Sequence, residues 1–191
     1  MAGHSKPGRP KGTAGKKGIM SDHEIDLVIK SILNANRSTK YRNAVLILFN
    51  HYLGLKAVDL AGLKVLDVFD GKDIFGGLIL SKVEPVTVLR FNKEINIALD
   101  AYIKCRMQKE GEVFSLNSAL FKSQKKIFSA ATLARLINTI YKETGFPNVT
   151  SHSGKRSFVK NLVTLTQDVN IISKMTRDVE MNARRYLSDK E

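Results

Sequence analysis

Apolar residues recur at helical spacing along most of the chain and at strand spacing over one short interior stretch. The first periodic run opens with "SDHE". Ser21 followed three residues later by Glu24 is a capping box, and Ile25, Val28, Ile29, Ile32 and Leu33 then trace one helical face. A second helix is expected over about 41–53, "YRNAVLILFNHYL". Residues 44–49 are apolar on every side, which predicts a central buried helix, ended by Gly54. "KAVDLAGL" adds a short helix. The period then changes. "KVLDVFD", "GLILSKV" and "PVTVLRF" are short β-branched runs separated by Gly71, Gly76, Gly77 and Pro85, and they predict a small three-stranded antiparallel sheet. Helix resumes over about 93–109, over 129–143 in "SAATLARLINTIYKE", through "SHSGKRSFVKNLVTL", and over about 169–175 and 179–187. There is no βαβ alternation and no internal repeat, so the fold class is α+β, mainly α.

Residues 1–20 depart from this pattern. They carry five Lys or Arg, no acid and several glycines, and cannot bury apolar area. A disordered basic arm is expected over 1–20 and a folded domain over 21–191. Arg9, Lys11, Lys16 and Lys17 are the arm's candidate DNA contacts. "PGRPKG", Pro7 to Gly12, resembles the core of an AT-hook, which implies an arginine drawn into narrow A·T-rich minor grooves. A basic tail touching phosphates without reading sequence is the other reading.

Charge sharpens the choice of partner. Lys and Arg number 31 against 18 Asp and Glu in 191 residues, a net charge of +13. Such a surplus repels itself unless a polyanion neutralises it, so double-stranded DNA or RNA is the first candidate and an anionic membrane surface the second. The single cysteine, Cys105, excludes a disulfide framework and points to a reducing compartment. No apolar run is long enough to span a bilayer, and the N-terminus has no apolar stretch of the secretory kind. A cytoplasmic, nucleoid-associated protein with no membrane partner is expected. No spacing suggests a zinc site and no phosphate-binding glycine loop appears, so neither metal nor cofactor is expected.

Four stretches in order carry a resemblance: "YRNAVLILFNHYLGLKAVDLAGLKVLDV", "LSKVEPVTVLRF", "LFKSQKKIFSAATLARLINTIYKETGF…TSHSGKRSFVKNL" and "MTRDVEMNARRYLS". Together they resemble the catalytic domain of the tyrosine recombinases, the phage-integrase family, over about residues 21–191, in the manner of short single-domain integrases of mobile elements. The resemblance implies DNA cleavage and rejoining without water or cofactor. A tyrosine attacks a phosphodiester to form a 3′-phosphotyrosyl link, while aimed donors stabilise the transition state and a proton reaches the departing 5′ oxygen.

Carried over residue by residue, the resemblance puts the nucleophile at Tyr186, the histidine at His152 and the hairpin lysine at Lys82. The family's two arginine positions fall on Lys56 and Lys155, with Asp59 behind the first. Arg156 follows at a position that often holds histidine or arginine. The late histidine or tryptophan position falls on Arg177. Arg184 and Arg185 flank the tyrosine as further DNA contacts.

Two lysines in place of arginines conserve charge but not the planar fork that grips two phosphate oxygens. Two readings therefore stay open. One is a working recombinase acting in site-specific recombination or integration. The other is a weak or inactive homologue that serves as a DNA-binding accessory factor. A third class, an RNA or acidic-protein binder, is distinguished by its ligand. Assembly as a homo-oligomer or with another recombinase on DNA is open.

Overall fold

The computed structural model describes residues 18–79, 88–123, 127–177 and 180–188, without the side chains of Arg185 and Ser188. Its helices are α1 (Asp22–Asn34), α2 (Lys40–Tyr52), α3 (Ala57–Gly62), α4 (Lys93–Glu110), α5 (Ala130–Glu143), α6 (Ser153–Leu165), α7 (Val169–Thr176) and α8 (Glu180–Ser188). Between α3 and α4 lie strands β1 (Gly77–Ile79) and β2 (Val88–Arg90). No helix among the described residues is long and apolar enough to cross a membrane.

Helix α2 is the axis. Its residues from Asn43 to His51 are all buried, because α1, α4 and α6 cover its apolar faces. The Ser21–Glu24 capping box opens α1 as the sequence predicts: the Glu24 backbone N–H donates to Ser21 Oγ at 3.3 Å, and the Ser21 N–H donates to Glu24 Oε2 at 2.8 Å. The side-chain oxygens of Asn92 and Ser129 likewise accept the first free N–H groups of α4 and α5.

The sheet differs from expectation. Among the described residues it has two antiparallel strands, paired Gly77↔Arg90, Leu78↔Leu89 and Ile79↔Val88. The expected first strand, "KVLDVFD", is instead a 3-10 turn over Val65–Asp67. Asp67 Oδ2 accepts the Lys64 N–H at 2.7 Å and winds the segment. Val65, Val68 and Phe69 are the buried positions, a spacing of three and four that belongs to a turn rather than to an alternating strand.

The apolar interior falls into two clusters. The larger runs through α1 to α5, the sheet and the loops before α6. The smaller holds Val159, Leu162 and Val163 of α6 with Ile172 of α7 and Ala183 of α8. Phe158 and Met175 touch both.

Candidate active site

Two loops, helices α6 and α8 and the segment before α1 build a cleft at the meeting of these clusters. The first loop follows α2. Gly54 adopts φ +61, and a Cβ there would lie 2.6 Å from Phe158 Cδ1, so the reversal needs glycine. The chain then delivers Lys56 as the N-cap of α3, where its backbone N–H donates to Asp59 Oδ2 at 2.8 Å. The second loop, Thr150 to His152, leads into α6. Ser151 N–H donates to Asn138 Oδ1 at 2.7 Å, and Thr150 N–H donates to Ser153 Oγ at 3.1 Å.

One buried side chain joins the two loops. Asn50, fully buried on α2, donates through Nδ2 to Leu55 O at 2.8 Å and to Ser151 O at 2.9 Å. Each of those carbonyls precedes a candidate residue, Lys56 in one case and His152 in the other. Gly154 sits so close to Asn50 that any Cβ would collide with it. The start of α6 is thereby held directly on α2.

The cleft has a volume of about 690 Å³ and is lined by Lys56, His152, Lys155, Arg156 and Tyr186. Four of the six catalytic positions assigned through the resemblance, Lys56, His152, Lys155 and Tyr186, thus converge with the neighbouring Arg156, from three separate stretches of sequence. Tyr186 is half-buried and packs with Leu187 against the smaller cluster, which fixes α8 on α6. Ile19, Val159, Lys160, Val163 and Thr164 complete the lining. None of these ten residues is acidic, so the cleft concentrates positive potential. Lys160 was missed from sequence. Its signal is its spacing, four residues after Arg156 on the exposed face of α6, where the two side chains are neighbours.

The basic side chains are not alike. His152 and Arg156 are exposed. Lys155 is only 9% exposed, and its Nζ donates to Thr176 O at 2.9 Å, at the last turn of α7. Carbonyls at a helix C-terminus carry partial negative charge, which suits an ammonium group. Arg177 follows in the left-handed region, φ 56. Its Nη2 donates to Asp59 Oδ2 at 2.7 Å, the same oxygen that accepts the Lys56 N–H. Arg177 does not line the cleft; it clamps the α7 end to the loop that presents Lys56. Arg184 is exposed on α8 outside the cleft lining. Lys82, Arg9, Lys11, Lys16, Lys17 and the Arg185 side chain lie outside the described residues.

His51, near this site in sequence, faces away from the chemistry. It is 1% exposed, with Nε2 2.9 Å from Asp22 Oδ1 at the start of α1. Burial holds its pKa below the ordinary value despite the neighbouring carboxylate. Asp22 is 61% exposed, so water screens its charge and desolvation of the ring prevails.

No protein-family profile matches the sequence, and no curated protein sequence matches it. Solved structures do. The chain superimposes on the crystal structure of XerA recombinase with a TM-score of 0.67 at 20% identity, over 88% of this chain and 59% of that one. XerH site-specific recombinase, bound to its difH substrate in a pre-cleavage complex, gives 0.65 at 18%, over 87% and 49%. A tyrosine-to-phenylalanine variant of the Tn1549 transposon integrase, in complex with transposon right end DNA, gives 0.63 at 17%, over 93% and 63%. The chain therefore spans about half to two-thirds of the length of the proteins it matches. At these identities the likeness is one of architecture: the chain has the catalytic-domain fold of the tyrosine recombinases and integrases.

Proposed function

We propose that the protein binds double-stranded DNA in this cleft and breaks and rejoins a strand there, in site-specific recombination or integration. The observation that carries the reading is the meeting of Tyr186 with Lys56, His152, Lys155 and Arg156 in one cleft whose lining holds no acid. A phosphodiester seated among these basic side chains presents its phosphorus to the Tyr186 hydroxyl. Tyr186 Oη gives up its proton to a base, for which His152 in the lining is proposed, and forms the bond to phosphorus; the bond to the 5′ oxygen breaks, and that oxygen takes a proton. Lys82, outside the described residues, is proposed as the donor on the strength of the sequence resemblance alone. The lysines and Arg156 hold the phosphate charge, and Arg177 holds the loop of Lys56. Arg9, Lys11, Lys16 and Lys17 are proposed to add phosphate or minor-groove contacts, and Arg184 and Arg185 to extend the surface beside the tyrosine.

One observation favours a second reading, a DNA-binding accessory that does not cut. Lys155 and Arg177 both direct their charge at the protein, onto Thr176 O and Asp59. Ground-state binding survives such a change because it rests on charge. Transition-state stabilisation rests on aimed donors, each worth ~10²–10³ in rate. An arginine-to-lysine variant of the Tn1549 integrase was solved in complex with a circular intermediate DNA, so one protein of this fold keeps its DNA after such a substitution.

Detergent-resistant protein–DNA adducts on a nicked duplex separate the two. The expected result is an adduct with the natural chain that is lost in Tyr186→Phe while both proteins retard the duplex equally. Retardation without an adduct, converted to adduct formation in Lys56→Arg/Lys155→Arg, establishes the accessory reading instead.

A further inference from the structure

A second cavity lies at the other end of α2 from the cleft. It has a volume of about 240 Å³ and is lined by Ser38 and Arg42 at the start of α2, by Arg106, Lys109 and Glu110 near the end of α4, and by Lys122 in the loop before α5. Arg42 and Tyr52, near the two ends of α2, are about 15 Å apart along its axis at 1.5 Å per residue. The two cavities share no lining residue.

Four of the lining side chains are basic and one is acidic. That carboxylate is already engaged. Glu110 Oε1 accepts from Arg106 Nε at 2.7 Å, and Oε2 accepts from Arg106 Nη2 at 3.0 Å and from Lys122 Nζ at 2.9 Å. Arg106, 5% exposed, gives its other N–H groups to Ala119 O, Leu120 O and Ser118 Oγ. All five of its donors are satisfied, so Arg106 and Glu110 are a structural pair that ties residues 118–120 to α4. Arg42 has no such partner. It is half-buried, with Nε and Nη2 donating to Asn43 Oδ1 at 3.1 and 2.9 Å and Nη1 to Lys122 O at 3.1 Å, and it meets no carboxylate among the described residues. Two of its five N–H groups remain. Lys109 Nζ donates to Ser38 O at 2.9 Å and Lys122 Nζ to Glu110, which leaves each ammonium two more.

Charge taken from water without a counter-charge is costly, and burial holds the Arg42 guanidinium below its ordinary pKa. An anion seated among Arg42, Lys109 and Lys122 reverses that cost and accepts from their open N–H groups. The positive end of the α2 dipole lies at the same cavity, with no side-chain cap from Thr39. The volume falls below the roughly 300–1,000 Å³ of sites for drug-sized ligands, which suits a single small anion. A phosphate group turns oxygens toward three donors at once, whereas a carboxylate offers two oxygens in one plane.

We propose that Arg42, Lys109 and Lys122 form a phosphate-binding site at the start of α2, separate from the cleft, with Arg106 and Glu110 as its fixed frame. The phosphate comes from a DNA backbone passing that end of the molecule or from a free phosphate; both present the same oxygens. The site does not depend on what the cleft does.

Inorganic phosphate titrated into the full chain at constant ionic strength, with backbone amides followed by NMR, tests this. The expected result is saturable shifts at residues 38–43 and at Lys109. Lys109→Gln/Lys122→Gln is expected to weaken that saturation by about tenfold or more, the value of one charge-assisted hydrogen bond, while Lys56 and His152 respond as in the natural chain. Lys56→Gln/Arg156→Gln is expected to leave the response of residues 38–43 intact. Where the first double variant loses the native amide pattern, Lys109→Gln alone decides, because that exposed side chain meets the described residues at Ser38 O. No saturation at residues 38–43, or saturation unchanged by these variants, overturns the proposal. Repeating the titration on the duplex-bound protein assigns the source. Amides of residues 38–43 that the duplex has shifted and phosphate no longer moves identify the DNA backbone; amides that still respond with the cleft filled identify a free phosphate. A chain that binds phosphate at residues 38–43 and binds no duplex overturns the function proposed above while upholding this site.

Discussion

The two apolar clusters differ in what they protect. Around α2 the interior is continuous, with Leu46, Ile47, Phe49 and Asn50 all sealed from water. It holds the loops of Lys56 and His152 from beneath. The helix pair α7–α8, which carries the tyrosine, rests on a cluster of five buried residues among those described, and on polar ties that include Lys155 to Thr176 O and Arg177 to Asp59. Local stability follows local burial. Lys56 and His152 are therefore mounted on the larger cluster, α6 with its cations bridges the two, and the tyrosine sits on the part expected to open first.

Matched core truncations test that contrast with the largest effect. Leu46→Ala is expected to lower global stability by about 2–5 kcal/mol, the usual range for a sealed core leucine. Ile172→Ala removes an equally buried side chain. It is expected to speed hydrogen exchange through 169–188 while the main thermal transition moves by less than about 1 kcal/mol, since α7–α8 open on their own. A common loss of cooperativity in both variants would merge the two regions into one.

A comparable effect concerns the joint between them. Asn50→Ala leaves the Leu55 and Ser151 carbonyls without their donor, at about 1–3 kcal/mol each. Duplex affinity is expected to fall with stability, because the two loops lose their shared brace. Unfolding in urea and gel retardation of the same preparation check both parts.

The smallest concerns pH. His51 is held below its ordinary pKa by burial, and its Nδ1 has no hydrogen-bond partner among the described residues. The unfolded chain therefore binds the proton at a higher pH than the folded one. Stability is full above about pH 6.5, the unfolded value, and declines as pH falls through the lower folded value. Urea midpoints at pH 7.5 and 5.0 are expected to converge in His51→Gln.

Much of the frame was legible because its signals are local. The Ser21–Glu24 box, the all-round apolar run in α2 and the amphipathic α5 each declare themselves within one element. The first expected strand failed for a reason that sequence alone weighs poorly. β-branched residues favoured extension, but Asp67 capping Lys64 and a core that takes Val65, Val68 and Phe69 together made a turn. Tyr186, Lys56, His152 and Lys155 were found through motif order, and the cleft brings them together. Asn50 was missed because its value lies in a backbone group 101 positions away. Arg177 was placed among the reacting groups, whereas the fold turns it onto Asp59.

Asn50 has one more consequence. It grips the two loops by their carbonyls, so the spacing between them is set without reference to which side chains the loops carry. Lineages with this scaffold are free to exchange lysine for arginine at position 56 without reshaping the ground beneath it. Position 155 has less latitude, because its ammonium also closes the end of α7. Drift in such a site is thus expected to run unevenly, with the outer cation varying first and the buried one last.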